Sequence, residues 1–159
     1  MAYIDKSDLP KKDEHRCIFC DKAADDDDQR NLILYRGRTA FVLLNLYPYN
    51  NGHLMIAPYQ HTCKLTELSD ETMLEIMQLT RDAQLALKGA FAPDGYNVGI
   101  NLGAIAGAGI ADHMHQHIVP RWGGDSNFMH VIGDTKVMPD SLENSYRKIK
   151  EAWGRSDGG

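Results

Sequence analysis

The chain has 159 residues, 43% of them apolar and 25% charged, the balance of one globular domain with a single core. Its formal net charge of −5 excludes nucleic acid held by bulk electrostatics, because phosphate backbones are bound through clustered Lys and Arg. No apolar run has membrane-spanning or signal-peptide character, so a cytoplasmic address is expected, and three cysteines are too few and too unevenly spaced for a disulfide framework.

Residues 1–16 read as a polar N-terminal arm. Cys17-Ile18-Phe19-Cys20 is a C-x-x-C, half of a tetrahedral zinc set; a redox pair is the competing reading, but no thioredoxin-like strand-to-helix context surrounds it. The following "DKAADDDDQR" predicts an acidic loop. Its Asp25 to Asp28 run is solvated surface, without the Gly and Glu spacing of a calcium loop.

From Asn31 the pattern turns to β: "NLILYRG" and "TAFVLLN" are apolar and branched, with Gly37-Arg38 as a hairpin turn, and "YPYNNG" leads to a third strand, "HLMIAP". Ser69 predicts the cap of a helix through Phe91, with Met73, Ile76, Met77, Thr80, Ala83, Leu87 and Phe91 at helical spacing. "GYNVGIN" reads as a fourth strand, "LGAIAGAGIAD" as a glycine-rich connection, and "HMHQHIVP" as a fifth strand stopped by its proline. Leu142, Tyr146, Ile149 and Trp153 mark a C-terminal amphipathic helix. The expected class is α+β: a mainly antiparallel five-stranded sheet with one long helix and a C-terminal helix.

In a strand, His113, His115 and His117 share one face, with neighbouring Cα atoms about 6–7 Å apart. Three imidazoles in register can ligate a metal, or can supply a nucleophilic imidazole with neighbouring rings donating to a charged oxygen. Gly103, Gly107 and Gly109 precede them. Either they let the backbone form an anion-binding nest, or they negotiate a tight turn.

"HMHQHIVPR" resembles the His-φ-His-φ-His-φ-φ signature of the histidine triad (HIT) family of nucleotide hydrolases and transferases, with Gln116 at one of the usual apolar positions. The resemblance runs from Cys17 to Met129 and takes in "FVLLNLYPYNNGHLMIAP" and "YNVGINLGAIAGAGIADHMHQHIVPRW". Its "AGAGIADHMHQHIVPRWGGDSNF" looks especially like the diadenosine tetraphosphate phosphorylase-like branch. It implies a HIT-like fold over residues 17–136, with a zinc knuckle at its start, and a separate C-terminal helix and tail at 137–159.

The resemblance further implies that His115 attacks the α-phosphorus of a nucleotide to give a nucleotidyl-imidazole, while His113 and His117 orient it and contact phosphate oxygens. His53 matches a further pocket histidine. Asn45 matches a residue that hydrogen-bonds ribose hydroxyls, against the plainer reading of a β-turn residue. Asn101 matches an amide near the scissile phosphate. Many members carry a Gln-Ser or Gln-Thr pair where this chain has Gly109-Ile110, so phosphate binding falls to backbone N–H groups of the Gly107, Gly109 and Ile110 segment. Arg121 can pair with a leaving polyphosphate or bridge surface carboxylates; Trp122 can stack on a base or pack an interface.

Zinc-containing members complete the Cys17 and Cys20 knuckle at positions matching His61 and His113, with His15 and Cys63 as rivals from spacing alone. Such a structural Zn2+ would hold His113 in one tautomer. The implied activity is nucleotidyl transfer from diadenosine tetraphosphate to inorganic phosphate, giving ADP and ATP. The alternative is hydrolysis of dinucleoside polyphosphates or nucleoside phosphoramidates. A galactose-1-phosphate uridylyltransferase would resemble the motif with Gln in place of His117. A homodimer is expected by analogy, with no nucleic-acid or membrane partner.

Overall fold

The computed structural model describes residues 17–125 and 138–156. The N-terminal arm, His15, Met129 and the expected boundary at 136/137 lie outside the described residues. Two short helices, α1 (Ile18–Ala24) and α2 (Asp28–Asn31), lead into strands β1 (Ile33–Arg36), β2 (Ala40–Leu44) and β3 (Leu54–Pro58). The long helix α3 (Asp70–Phe91), strands β4 (Gly95–Ile100) and β5 (Gln116–Arg121), and helix α4 (Leu142–Ser156) follow. All strand pairs are antiparallel, in the order β1-β2-β3-β5-β4. β5 therefore runs through the sheet between β3 and β4.

Alternation along the strands gives the sheet two apolar faces. Val42, Leu44, Leu54, Ile56, Met114 and Ile118 pack against Ile76, Ala83 and Leu87 of α3 and Ile149 and Trp153 of α4. On the other face Ile33, Phe41, Leu43, Met55 and Ala57 close over Phe19 of α1. This second cluster is small, and the rest of that face carries the histidines.

α3 starts where its sequence dictates: the Ser69 hydroxyl accepts from Thr72 N at 3.2 Å, Asp70 and Glu71 complement the positive end of the helix, and Ala92 ends it in the left-handed region. Its buried stripe is Thr72, Ile76, Leu79, Thr80, Ala83, Ala86 and Leu87. Met77, expected on that stripe, is 60% exposed because one residue beyond Ile76 turns the side chain about 100° around the axis.

The acidic stretch is a loop only at Asp25, Asp26 and Asp27, which join the end of α1 to α2: Asp27 caps Arg30 N at 3.0 Å, and Arg36 reaches back to the carbonyls of Ala23 (2.7 Å) and Asp25 (2.5 Å) while pairing with Asp28 at 2.8 Å. Asn31 and Leu32 consequently stay out of β1, Leu32 turning through a φ of 59°. His113 and His115 precede the β5 ladder, because β3 ends in Pro58, which has no N–H to continue it. Pro120 does not stop β5: it lies past Ile118, the last residue paired with β3, and Arg121 still pairs with Gly95.

Candidate active site

Four side chains converge beside the start of β5. Cys17 is the N-cap of α1 and Cys20 sits one turn on, so both thiols point to one side. Their Sγ atoms lie 3.3 Å (Cys17) and 3.6 Å (Cys20) from Nδ1 of His113, and His61 Nδ1 lies 3.2 Å from His113 Nδ1 and 3.5 Å from Cys20 Sγ. All four ligand atoms fall within 4.8 Å of one another. A tetrahedral zinc with Zn–S of about 2.3 Å and Zn–N of about 2.0–2.1 Å requires edges of about 3.3–3.8 Å, so this donor set fits a structural metal. Cys63 is exposed and is not in the group.

His113 has its second nitrogen committed as well. Nε2–H donates to the Pro58 carbonyl at 2.8 Å, which leaves Nδ1 as the lone pair facing the thiols, and burial lowers its pKa so that the ring stays neutral. Phe19, between the two cysteines and 1% exposed, lies with its ring 5.2 Å from that of His113 and 4.8 Å from that of His115. The knuckle helix thus supplies the surface on which the middle histidine rests.

His115 is buried, and its Nδ1–H donates 3.0 Å to the His113 carbonyl. That bond fixes the tautomer whose Nε2 carries the lone pair. A second relay fixes His117. Tyr49 N–H donates to His53 Nδ1 at 3.0 Å, so His53 Nε2 carries the hydrogen and donates to His117 Nδ1 at 2.9 Å. His117 is left as the Nε2–H tautomer, its ring edge-on to His115 at 4.8 Å. Burial, and secondarily the neighbouring His115, push the His117 pKa down to about 4, so it is a neutral donor at physiological pH.

The loop before β3 is braced to hold His53. Asn51 accepts from Ser145 of α4 at 3.1 Å, and Asn50 donates to the Pro120 carbonyl at 3.0 Å and to Asp125 at 2.8 Å. Gly52 has a φ of +73°, and a Cβ there would come within 3.0 Å of Leu87 and 3.1 Å of Phe91. Asn45 lies against His53: its Oδ1 accepts from Tyr47 N at 3.0 Å, a turn-forming bond, and its Nδ2 is 3.4 Å from His53 Nδ1.

Gly103 and Gly107 take φ values of 89° and 87°, whereas Gly109 does not enter the left-handed region. Asn101 crosses the loop to the Gly107 carbonyl at 3.4 Å, and the N–H groups of Ala106, Gly107 and Ala108 turn back onto carbonyls of the loop itself. Ile110 packs against the Phe19 cluster. Arg121 forks onto Asp125 at 2.6 and 2.8 Å and reaches Asn97 at 2.8 Å, holding the Asp125 carboxyl far below its usual range. It lies four residues beyond His117, about 13 Å along the strand. Trp122 is half-buried and donates its backbone N–H to Asp125 at 3.2 Å. The sequence-predicted histidines and cysteines are therefore gathered at one place, while Arg121 and Trp122 sit at the far end of β5.

Phe19, Tyr49, the Pro58 carbonyl and the Thr80 hydroxyl behind Gln116 are parts of this site that sequence reasoning missed. Only Phe19, an aromatic residue trapped between two ligand candidates, left a signal there.

The HIT domain family model matches residues 27–124. AP-4-A phosphorylase of Mycobacterium tuberculosis is 44% identical over 128 residues, 80% of this chain; the chain spans 66% of that relative's length. An adenosine 5'-monophosphoramidase of Schizosaccharomyces pombe is 35% identical over 66% of this chain and 74% of its own length. The crystal structure of a Zn-bound histidine triad family protein from Mycobacterium smegmatis superposes with a TM-score of 0.72 at 28% identity, covering 89% of this chain and 96% of the other.

Proposed function

Because this chain belongs to the HIT domain family, we propose that it is a nucleotidyl transferase that cleaves dinucleoside polyphosphates through a nucleotidyl-His115 intermediate, with inorganic phosphate as acceptor. The observation that carries the reading is the His115 Nδ1–H bond to the His113 carbonyl, which leaves Nε2 as an in-plane lone pair on a ring beside a neutral N–H donor. Similarity to AP-4-A phosphorylase supports diadenosine tetraphosphate as substrate.

In the first displacement the Nε2 lone pair bonds to an α-phosphorus, the bridging P–O bond breaks, and ATP leaves with the bond electrons. Positive charge growing on the ring is stabilised by the His113 carbonyl already hydrogen-bonded to Nδ1–H. His117 Nε2–H hydrogen-bonds a phosphate oxygen; a polyphosphate leaving group is too weak a base to require its proton. In the second displacement a phosphate oxygen attacks the same phosphorus, the P–N bond breaks back to Nε2, and ADP is released. Asn45, beside His53, is assigned to the ribose, and Asn101 with the Gly109 and Ile110 backbone to the phosphates, the Gly107 N–H being engaged by the Ala104 carbonyl. Arg121 and Trp122 are assigned to the outer half of the substrate.

Cys17, Cys20, His61 and His113 would hold a structural Zn2+, whose contribution is to pin α1 and the His113 ring. Similarity to a Zn-bound family member supports zinc as the metal. A cytoplasmic homodimer belongs to the same reading; exposed Leu74, Met77 and Leu85 on α3 and Val98 on the edge strand β4 support a dimer face. Phosphoramidate hydrolysis is the second reading, favoured by the monophosphoramidase similarity.

Incubation with diadenosine tetraphosphate, with and without phosphate, tests the reaction. ADP with ATP, formed only when phosphate is present, supports it; AMP with ATP independent of phosphate contradicts the transferase and returns the hydrolase.

A further inference from the structure

Gln116 stands between His115 and His117, and its side chain points away from them, into the interface with α3. It is 5% exposed and pairs with Ile56 on one side and Ile100 on the other. Its amide donates 2.5 Å to the Thr80 hydroxyl, itself 3% exposed, and that hydroxyl donates 2.7 Å to the Ile76 carbonyl one turn back on α3. Among the described residues no buried side-chain nitrogen or oxygen lacks a partner, and here the Gln116 amide nitrogen and the Thr80 hydroxyl are bonded in series inside a mainly apolar interface.

An amide here costs desolvation that a leucine of similar size would not, and the single hydroxyl it meets roughly offsets that cost. What the pair adds is direction. Apolar side chains tolerate sliding and rotation of a strand over a helix, whereas a hydrogen bond fixes both distance and angle. Rotation of the backbone at Gln116 would swing both neighbouring rings, which hold bonds of 3.0 Å (His115 to the His113 carbonyl) and 2.9 Å (His117 to His53).

We propose that Gln116 and Thr80 are a positioning pair through which α3 sets the angle of the histidine strand and so aims the His115 lone pair. This rests on the reading of His115 as nucleophile, and it concerns residues that touch neither substrate nor metal.

The test compares Gln116→Leu, Thr80→Val, Thr80→Ser and the Gln116→Leu/Thr80→Val double variant in the full chain. Thermal unfolding, kcat, KM and the imidazole 15N signals of His115 and His117 are measured for each. Gln116→Leu and Thr80→Val should each lower kcat about tenfold, a fraction of what a 1 Å misplacement costs, with KM nearly unchanged. The double variant should lose no more than either single one, the imidazole signals should move, and Thr80→Ser should behave as the parent. If Gln116→Leu does not fold, Thr80→Val against Thr80→Ser decides alone.

A folded double variant with parental kcat and unmoved imidazole signals overturns the proposal, as does Thr80→Val matching Thr80→Ser. His115→Ala is assayed alongside: retained turnover there would sink the nucleophile reading, while the imidazole signals still decide whether the pair positions the rings.

Discussion

His115 donates its Nδ1 hydrogen to the backbone carbonyl of His113, 3.0 Å away, and the His113 side chain in turn faces two thiols and a third imidazole through Nδ1. The residue that orients the middle histidine is thus itself fixed at three points: its Nδ1, its Nε2 on the Pro58 carbonyl, and its ring on Phe19.

Metal removal should therefore loosen the site from outside it. Chelation, or Cys17→Ser with Cys20→Ser, should lower the melting temperature by about 10 °C or more, because the binding energy of a structural zinc is folding energy. Elemental analysis should find one zinc per chain beforehand, and both thiols should become reactive to alkylation afterwards. An unchanged melting curve in a protein without zinc would contradict the assignment.

The relay from Tyr49 through His53 to His117 predicts a tautomer effect. His53→Leu removes the donor to His117 Nδ1, so the His117 hydrogen is no longer confined to Nε2. Turnover should fall about 10²-fold, the lower end of what one aimed hydrogen-bond donor to developing oxyanion charge contributes. Imidazole 15N spectra check it: His117 should show mixed tautomers in the variant and one in the parent.

Stability should depend on pH through the same ring. The His117 pKa is about 4 in the folded chain against an ordinary 6.5. Above 6.5 both states are neutral. Between 6.5 and 4 the unfolded chain binds a proton that the folded chain refuses, so stability falls as pH drops through that window. His113 is lowered in the same direction. Melting temperatures measured from pH 8 to pH 5 should be flat and then decline, and His117→Asn should flatten the decline; an increase in stability below 6.5 would contradict the shift.

Gly52→Ala tests the bracing of the loop that carries His53. A left-handed φ of +73° and a Cβ within 3.0 Å of Leu87 should together cost about 1–3 kcal/mol, read by denaturant unfolding. Activity should fall with it, since His53 follows directly.

Much of this was legible in the sequence where the determinants are local. Ser69, the periodic residues to Leu87 and the stop after Phe91 specify α3 within one stretch of chain, and the branched runs specify β2 and β3. The helical flanks of the acidic loop, residues 21–24 and Asp28–Asn31, were not legible because Arg36 braces them from β1, a contact that spacing does not encode. The extent of β5 was misjudged because Pro58, on another strand, decides where pairing can begin. At the site, the spacing of His113, His115 and His117 and of Cys17 and Cys20 pointed to shared chemistry, whereas His53 and His61 were reached only through the resemblance to the histidine triad family. The tautomers did not, because they are set by the carbonyls of Pro58 and His113 and the N–H of Tyr49.

The most direct test of the account is to quench the reaction with diadenosine tetraphosphate labelled at an α-phosphorus and to look for acid-labile, base-stable label on the protein. The label should map to His115, and added phosphate should chase it into ADP. It should be absent in a folded His115→Ala variant and present in His61→Ala reconstituted with zinc. Turnover with no protein-bound label, or label that persists without His115, would contradict nucleophilic catalysis by that ring.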